Sequence, residues 1–346
     1  MTQIRGVSLR KRDRMPLHAI APLAYPLVIY LEPTNVCNFR CSFCPTGDTA
    51  LVKKHRPVGM MPWELWTKVI DDFKAFDRPA ENAHLFKDGE STLHPRFLDM
   101  LGYIRDAHIA KRLWIKTNGS KLEPKFNRGL IDNGLNELGV SVESVTSAGY
   151  KTVSRVTFDY EKLRDNVADL YVQSRGHDFH IYVKIPSQGL SQDEIDKFYA
   201  DFGDRCDFIG IENFHGWSTP ELGDFTMGYK SDTYDGDPLT DKIVCPWTIF
   251  SITVNWNGAT SVCPEDWAWK TIIGDASKEH IKDIWNGERM FEFRKMHLEG
   301  RRDENIACRG CYFMRTLPDN IDPWRYEILE RYEQQRADRT GAQPAD

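Results

Sequence analysis

Three closely spaced cysteines constrain this chain more than any other feature. Cys37, Cys41 and Cys44 are separated by three and two residues, in a loop that directly follows an apolar segment. Thiolates are the usual ligands of iron–sulfur clusters, and a cubane of four irons held by three cysteines keeps one iron free. A structural zinc ion would need a fourth ligand, for which the distant His55 is the nearest histidine. The loop therefore predicts an open iron–sulfur cluster, with a closed zinc site as the alternative.

Beyond this loop, short apolar runs alternate with amphipathic helical segments, which is the pattern of parallel β/α units. The predicted strands are residues 28–32, 84–87, 112–117, 137–142, 180–185 and 208–211. The predicted helices are residues 62–73, 95–107, 124–133, 160–173 and 192–202. Six strands are too few to close a barrel of the usual eight. We therefore expect an α/β fold whose functional residues follow the carboxyl ends of parallel strands.

Polar and glycine residues follow the second, third and fourth predicted strands. The segments are Lys87-Asp88-Gly89-Glu90, Lys116-Thr117-Asn118-Gly119 and Ser141-Val142-Glu143-Ser144, with Arg155 downstream. Together with the cysteine spacing, they resemble the radical S-adenosylmethionine (SAM) enzymes over about residues 25 to 320. The resemblance implies a partial (β/α)6 TIM-like barrel in which Cys37, Cys41 and Cys44 hold a [4Fe-4S] cluster. The free iron would bind SAM, and one electron would cleave SAM to a 5′-deoxyadenosyl radical.

The resemblance also implies which residues bind SAM. They are Phe43, Gly89, Glu90, Asn118, Ser141 and Arg155. Their implied contacts include the adenine for Phe43, the methionyl amine for Glu90 and the carboxylate for Arg155. Asp88 replaces the first glycine of the family's Gly-Gly-Glu motif. Two alternatives stay open, because Asn118 also suits a turn or helix cap and Arg155 a surface salt bridge.

The fifth and sixth predicted strands end in residues that match no cofactor motif. Lys184 belongs to the fifth strand, and Glu212 and His215 follow the sixth. We predict all three as catalytic or substrate-binding residues, because a carboxylate or an imidazole can hydrogen-bond a hydroxyl or accept its proton. A structural role is the alternative for His215.

A second group of four cysteines follows the predicted sheet: Cys245, Cys263, Cys308 and Cys311. Asn257-Gly258 predicts a two-residue hairpin turn that brings the first two together. The group resembles the SPASM/Twitch extensions of radical SAM enzymes, which implies one auxiliary [4Fe-4S] cluster with complete cysteine ligation; zinc is the alternative. The predicted divisions are an N-terminal extension (1–24), the barrel (25–218), a small Twitch/SPASM-type domain of a β-hairpin plus helix (219–320), and a C-terminal helix and tail (321–346).

The composition is typical of a soluble globular protein. Hydrophobic residues make up 41% of the chain, charged residues 28%, and the net charge is −6. No Lys/Arg-rich block stands out beyond Arg10-Lys11-Arg12, so we expect no nucleic-acid partner. No apolar stretch is long enough to span a membrane. Cysteines in metal-type spacings indicate a reducing compartment, so we predict a cytoplasmic protein.

The second cysteine group also bears on the reaction. Its spacing resembles that of the aminocyclitol dehydrogenases of the superfamily, of the 2-deoxy-scyllo-inosamine type, which oxidise an alcohol to a ketone. The resemblance implies a small hydroxyl-rich substrate (an aminocyclitol, a sugar or a nucleoside-linked sugar), an auxiliary cluster that accepts an electron, and a reducing partner such as flavodoxin or ferredoxin. About 27 residues precede the first predicted strand, too few for the leader-binding domain of many peptide-modifying relatives.

Three alternative functions stay open. A radical SAM epimerase or dehydratase of a sugar or aminoglycoside is the first, and an epimerase needs a thiol that returns a hydrogen atom. Cys206 is the remaining cysteine, but it precedes the sixth strand and we expect it in the core. A peptide-modifying radical SAM enzyme is the second alternative. A non-catalytic iron–sulfur or zinc protein is the third, and it would have no use for the strand-end residues.

Overall fold

The computed structural model describes residues 3–4, 15–187, 189–213, 216–225 and 238–340. Within these ranges one sheet of ten strands organises the molecule. The strands are β1 (Gln3–Ile4), β2 (Val28–Leu31), β3 (Ala80–His84), β4 (Ala110–Thr117), β5 (Glu137–Ser141), β6 (His180–Pro186), β7 (Phe208–Glu212), β8 (Ser251–Val254), β9 (Ala259–Ser261) and β10 (Ile272–Asp275). The helices are α1 (Leu17–Ile20), α2 (Thr49–His55), α3 (Trp63–Phe73), α4 (Phe97–Ala107), α5 (Pro124–Asp132), α6 (Ser147–Val153), α7 (Tyr160–Ser174), α8 (Gln192–Phe202), α9 (Trp247–Phe250), α10 (Ile281–Asn286), α11 (Glu288–Leu298) and α12 (Arg325–Thr340).

The six strands β2 to β7 lie side by side in chain order, and each neighbouring pair is parallel. At least one helix connects each of these strands to the next. The ten strands lie in the order β1-β7-β6-β5-β4-β3-β2-β8-β9-β10. The two outermost strands, β1 and β10, do not pair with each other, so the described sheet is open rather than closed into a barrel. The predicted α/β fold with a parallel sheet is confirmed. The carboxyl ends of all six strands lie at one edge of the sheet, where the predicted site residues follow them.

Side-chain alternation decides which residues face the interior of the sheet. On β6, Ile181, Val183 and Ile185 are fully buried, whereas the intervening residues are half-buried. Successive strand residues point to opposite faces, so Lys184 lies on the face opposite these aliphatic side chains. The helices cover the apolar face. For example, α3 buries residues at helical spacing from Trp66 to Phe73.

Some predicted boundaries are wrong. The second barrel strand is Ala80–His84, not 84–87. Its sequence, Ala-Glu-Asn-Ala-His, lacks an apolar run, and pairing with β2 and β4 decides its position. The helical segment predicted before Cys308 is two helices, α10 and α11, which meet at Gly287. Six short elements, β1, α1, α2, α6, α9 and β10, were not predicted.

The hairpin of the second cysteine group extends the barrel sheet. β8 pairs in parallel with β2, with Thr253 opposite Tyr30, and β9 and β10 continue antiparallel. As the first strand of the barrel, β2 would otherwise leave an edge of unpaired backbone groups. The predicted Twitch-type segment therefore shares its sheet with the barrel, while the proposed division into domains stays a prediction.

The C-terminal helix packs on the N-terminal segment. Arg331 donates hydrogen bonds to the carbonyl oxygens of Ala21 and His18, at 2.6 and 2.9 Å. The rings of His18 and Trp324 stack with centroids 3.7 Å apart. The predicted C-terminal helix is confirmed and reaches Thr340, and the predicted tail beyond it lies outside the described residues. No helix in the described ranges is long and apolar enough to cross a membrane.

Candidate active site

The loop after β2 gathers the first three cysteines beside α6. The backbone N–H of Arg40 donates to the carbonyl oxygen of Ser154 at 2.9 Å, and the Cys41 thiol donates to the Ser154 hydroxyl at 3.4 Å. Burial raises the pKa of Cys37 to about 12, and it also raises the pKa of Cys41 and of Cys44. Thiols buried together in this way ionise when a metal replaces their protons, which suits a cluster site.

Gly89 allows the end of β3 to approach the cysteine loop. A Cβ atom at Gly89 would lie 2.6 Å from the backbone of Asn35, a distance that real Cβ atoms do not show. The neighbouring Glu90 is buried, and its carboxylate accepts hydrogen bonds from the backbone N–H of Asn118 at 2.6 Å and the Thr117 hydroxyl at 2.8 Å. Burial raises the pKa of Glu90, and these hydrogen bonds oppose the rise. Glu90 thus connects the end of β3 to the end of β4 through hydrogen bonds. Its contact with SAM stays a prediction.

Asn118 fastens the end of β4 to the cysteine loop. Its side-chain amide donates to the Asn38 side chain at 2.9 Å, and its Oδ1 accepts from the backbone N–H of Ser120 at 3.0 Å. The second contact is the local turn that asparagine commonly forms with its own backbone. The structure therefore gives Asn118 the turn role that the sequence left open, and places it beside the cluster loop.

The other predicted SAM-binding residues are Arg155, Ser141 and Phe43. Arg155 directly follows Ser154, is exposed, and has a left-handed backbone with a φ of 54°. Such backbone strain in a residue other than glycine is concentrated at functional sites. Ser141 ends β5, and Phe43 is half-buried in the cysteine loop. All six predicted residues lie at the same end of the sheet, and their contacts with SAM stay predictions.

An ion pair joins the carboxyl ends of β6 and β7. Lys184 Nζ lies 2.5 Å from Glu212 Oε2, and the Tyr182 hydroxyl donates to Glu212 Oε1 at 3.0 Å. Burial would raise the pKa of Glu212, but Lys184 and Lys116 outweigh it and lower that pKa to about 2. Glu212 is therefore ionised at neutral pH, which favours a hydrogen-bond acceptor over a proton acceptor. The third predicted substrate residue, His215, lies outside the described residues.

Glu143 is a candidate that the sequence reasoning did not single out. It follows β5, and its charge acts on both Lys184 and Cys41. Burial raises the pKa of Glu143 to about 7, against the opposing effect of Lys184. A buried carboxyl group that titrates near neutral pH is suited to accept a proton. The signal in the sequence was a carboxylate shortly after a strand end, within a motif that we assigned to SAM.

The four later cysteines line a single cavity, whose wall also includes Trp247, Phe293 and Met314. Burial raises the pKa of Cys245 to about 12 and raises the pKa of the other three thiols. All four thiols line the same cavity, so the structure brings the predicted ligands of the second site together.

Family comparisons agree with both cysteine sites. The model described as the Radical SAM superfamily matches residues 31–197, and SPASM, an iron–sulfur cluster-binding domain, matches residues 245–312. The chain belongs to the radical SAM superfamily. As a radical SAM enzyme with a SPASM region, it uses iron–sulfur clusters and SAM as cofactors. Both resemblances drawn from the cysteine spacings are confirmed.

Two curated relatives illustrate how far this radical SAM enzyme can be compared. It is 24% identical over 285 residues to the S-adenosyl-L-methionine-dependent 2-deoxy-scyllo-inosamine dehydrogenase of Niallia circulans, covering 82% of this chain and 92% of that protein. It is 31% identical over 122 residues to the tungsten-containing aldehyde ferredoxin oxidoreductase cofactor-modifying protein of Pyrococcus furiosus. That second match covers 35% of this chain and only 32% of that relative's length.

Solved structures share the fold. The crystal structure of BtrN in complex with AdoMet and 2-DOIA matches with a TM-score of 0.53 and 20% identity, over 83% of this chain and 92% of BtrN. Streptococcus suis SuiB bound to its precursor peptide SuiA matches with a TM-score of 0.60 and 13% identity, over 80% of this chain and 68% of SuiB. Similarity at these identities establishes the fold of this radical SAM enzyme. It does not identify the substrate, which has to be inferred from the residues of the site.

Proposed function

We propose that this radical SAM enzyme oxidises a secondary alcohol of a small, hydroxyl-rich substrate to a ketone. The substrate class is an aminocyclitol, a sugar or a nucleoside-linked sugar. The observation that carries the proposal is the set of four thiols around the cavity of the second cysteine group. A cluster with complete cysteine ligation has no free iron for a substrate, which leaves electron transfer as its use. Sequence similarity along 92% of 2-deoxy-scyllo-inosamine dehydrogenase supports the same reaction class.

Alcohol oxidation removes a hydrogen atom, a proton and an electron from the substrate. When bound, the first cluster and SAM supply a 5′-deoxyadenosyl radical for the hydrogen atom, and the auxiliary cluster supplies an acceptor for the electron. The proton leaves to a group of this chain, and Glu143 is suited because burial raises its pKa to about 7. Lys184 and the ionised Glu212 offer a donor and an acceptor that orient substrate hydroxyls.

We also propose which residues hold the cofactors and which class of protein supplies electrons to them. Cys37, Cys41 and Cys44 would hold one [4Fe-4S] cluster, and the four later cysteines would hold the other. An external reductant is required for the first cluster, and a flavodoxin or ferredoxin is the class of protein that delivers single electrons. A cytoplasmic location completes the proposal, because clustered free thiols persist in a reducing compartment.

Epimerisation ranks behind oxidation because of Cys206. The thiol is fully buried and donates to the carbonyl oxygen of Phe202 at 3.1 Å. It precedes β7, at the end of the strand opposite Glu212. The prediction that Cys206 belongs to the core is confirmed, so it is poorly placed to return a hydrogen atom to a substrate radical.

The test uses the anaerobically reconstituted enzyme with SAM, dithionite and 2-deoxy-scyllo-inosamine deuterated at the reacting carbon. We expect a ketone, transfer of deuterium to 5′-deoxyadenosine, and one deoxyadenosine for each ketone. In deuterated water, unlabelled substrate that gains one deuteron without losing two mass units would identify an epimerase and overturn the proposal. Turnover of a peptide, with every cyclitol and sugar alcohol in a panel left intact, would also overturn it.

A matched pair of variants tests the proton acceptor separately. Glu143→Gln keeps the shape of the side chain but cannot accept the proton, so ketone formation should fall at least tenfold. Glu161→Gln changes an exposed carboxylate on α7 and should leave turnover unchanged. Equal turnover in both variants would exclude Glu143 and leave His215 as the candidate.

A further inference from the structure

His297 lies on the wall of the cavity that the four later cysteines line. It belongs to the last turn of α11 and is only 1% exposed. The ring of Phe293, one helical turn earlier, lines the same cavity and stacks on the imidazole, with ring centroids 5.2 Å apart. Packing therefore holds the imidazole in place next to the second cysteine group.

The hydrogen bond to Nδ1 decides which nitrogen of His297 carries the proton. Nδ1 accepts from the backbone N–H of Cys245, with the two nitrogens 3.4 Å apart. A backbone N–H can only donate, so Nδ1 offers a lone pair and the proton of the neutral imidazole is on Nε2. The same contact ties the end of α11 to the first cysteine of the group.

Nε2 of His297 is a buried donor without an acceptor. It has no hydrogen-bond partner in the described ranges. Buried N–H groups that stay unpaired are costly and rare in native proteins. A cluster held by the four cysteines brings thiolate and sulfide sulfurs, which accept hydrogen bonds, into the cavity that this ring lines. The orphaned N–H therefore fits an iron–sulfur cluster at this site.

We propose that the Nε2–H of His297 donates a hydrogen bond to a sulfur of the auxiliary cluster and raises the reduction potential of that cluster. The cluster is thereby a better acceptor for the electron that alcohol oxidation releases. The inference rests on the auxiliary cluster of the proposed function and not on which substrate is oxidised. Hydrogen bonds to the sulfurs are a main means by which proteins set iron–sulfur potentials.

The direction of the shift follows from charge. One-electron reduction adds negative charge to the cluster, and a donor at a sulfur stabilises the reduced form more than the oxidised form. Arg302 lines the same cavity and donates to the carbonyl oxygen of Cys308 at 2.6 Å, so its positive charge acts in the same sense. The Arg302 side chain is 20% exposed, whereas His297 is buried, where a hydrogen bond is electrostatically stronger. Removing the Nε2–H should therefore shift the potential to more negative values although Arg302 stays.

Two substitutions separate the two hydrogen bonds of His297. His297→Asn places an amide oxygen near the position of Nδ1, so it can still accept from Cys245 but has no donor at the position of Nε2. His297→Gln places an amide nitrogen near the position of Nε2, so it keeps that donor. Both replacements are neutral and polar, which makes each the control for the other.

The potentials are measured on the anaerobically reconstituted enzyme without substrate, by redox titration with electron paramagnetic resonance. Added SAM changes the signal of the cluster with the free iron, so the signal that SAM leaves unchanged belongs to the auxiliary cluster. Iron and sulfide analysis of each variant checks that both clusters are present.

We expect a more negative potential of the auxiliary cluster in His297→Asn and a potential close to that of wild type in His297→Gln. A wild-type potential in His297→Asn would overturn the proposal. So would a shift in His297→Gln with none in His297→Asn, because the effect would then belong to the hydrogen bond from Cys245.

A second measurement detects the hydrogen bond in the unsubstituted enzyme, and therefore stands even if a variant fails to assemble. Histidine is labelled with the heavy nitrogen isotope, the enzyme is reduced, and pulsed electron paramagnetic resonance is recorded at the auxiliary signal. We expect a weak coupling to the labelled nitrogen, which is absent in His297→Asn. The absence of any coupling in wild type would refute the hydrogen bond, and a strong coupling would make His297 a ligand of iron rather than a donor.

These readouts need no turnover. They can fail while the proposed alcohol oxidation stands, and they can succeed in an enzyme that forms no ketone.

Discussion

Replacing Asp88 with asparagine should destabilise the apo-protein by roughly 3 kcal/mol. Asp88 and Arg56 are fully inaccessible and Lys87 is 1% exposed, so the substitution leaves two buried cations without their shared anion. Removing one partner from a buried ion pair typically costs about 3 to 5 kcal/mol. The lower value applies here, because the buried carboxylate of Glu32 acts on both cations and compensates in part. Asparagine is chosen because it keeps the shape of the side chain and removes mainly its charge.

The assay is urea unfolding of the anaerobic, metal-free protein, followed by tryptophan fluorescence. Asp99→Asn is the control, because Asp99 pairs with Arg96 at 3.0 Å while both side chains are about half exposed. Such a pair contributes at most about 1 kcal/mol. The double variant Arg56→Gln/Asp88→Asn should lose less than the sum of the two single variants. Equal decreases in the free energy of unfolding for Asp88→Asn and Asp99→Asn, or strict additivity in the cycle, would refute the conclusion that the buried ion pairs of Asp88 stabilise the fold.

Three further predictions follow from individual residues. The pKa of Glu143 is raised from 4.5 to about 7 in the folded state, so the unfolded chain releases this proton first and the free energy of unfolding falls by roughly 3 kcal/mol as the pH rises across that window. Urea unfolding of the apo-protein at a series of pH values should show this loss in the wild type and not in Glu143→Gln. The same pH dependence in both proteins would contradict the assignment. Gly89→Ala places a Cβ against the backbone of Asn35 and should reduce iron incorporation together with thermal stability, whereas wild-type iron content would show that the loop tolerates the clash. Iron and sulfide analysis should approach about eight of each per chain, falling to about four in Cys308→Ala, and about four in the wild type would mean that the second site holds no cubane.

Local patterns in the chain were sufficient for most of the fold. The helix predicted over 192–202 is found as Gln192–Phe202, because Ser191 and Glu194 form a capping box and the apolar residues keep helical spacing. The strand predicted at 84–87 lies instead at Ala80–His84, because its sequence is largely polar and only pairing with the neighbours on both sides decides its position. The pairing of β8 with β2 was likewise invisible, since residues more than two hundred positions apart carry no shared local signal.

The candidate site likewise combines features that the sequence predicted with features that only the structure revealed. Spacing alone identified both cysteine groups, because ligands of one cluster must be close together and a short loop or C-x2-C segment ensures that locally. The ion pair of Lys184 with Glu212 and the raised pKa of Glu143 depend on burial, which only packing determines. A sequence lists charged residues without saying which of them lose their water.

The sequence by itself determined that this chain is a radical SAM enzyme with two cysteine sites. Cluster ligands and alternating strands and helices both follow from the spacing of residues that are close together along the chain. Only the tertiary structure decided how the two sites meet. The hydrogen bond from Trp267 to Thr46 joins residues 221 positions apart. The same Thr46 hydroxyl donates to the carbonyl oxygen of Asp88 at 2.9 Å, a residue that looked in the sequence like a departure from a motif. Contacts of that range are set by how the hairpin completes the sheet beside β2, and no local pattern encodes them.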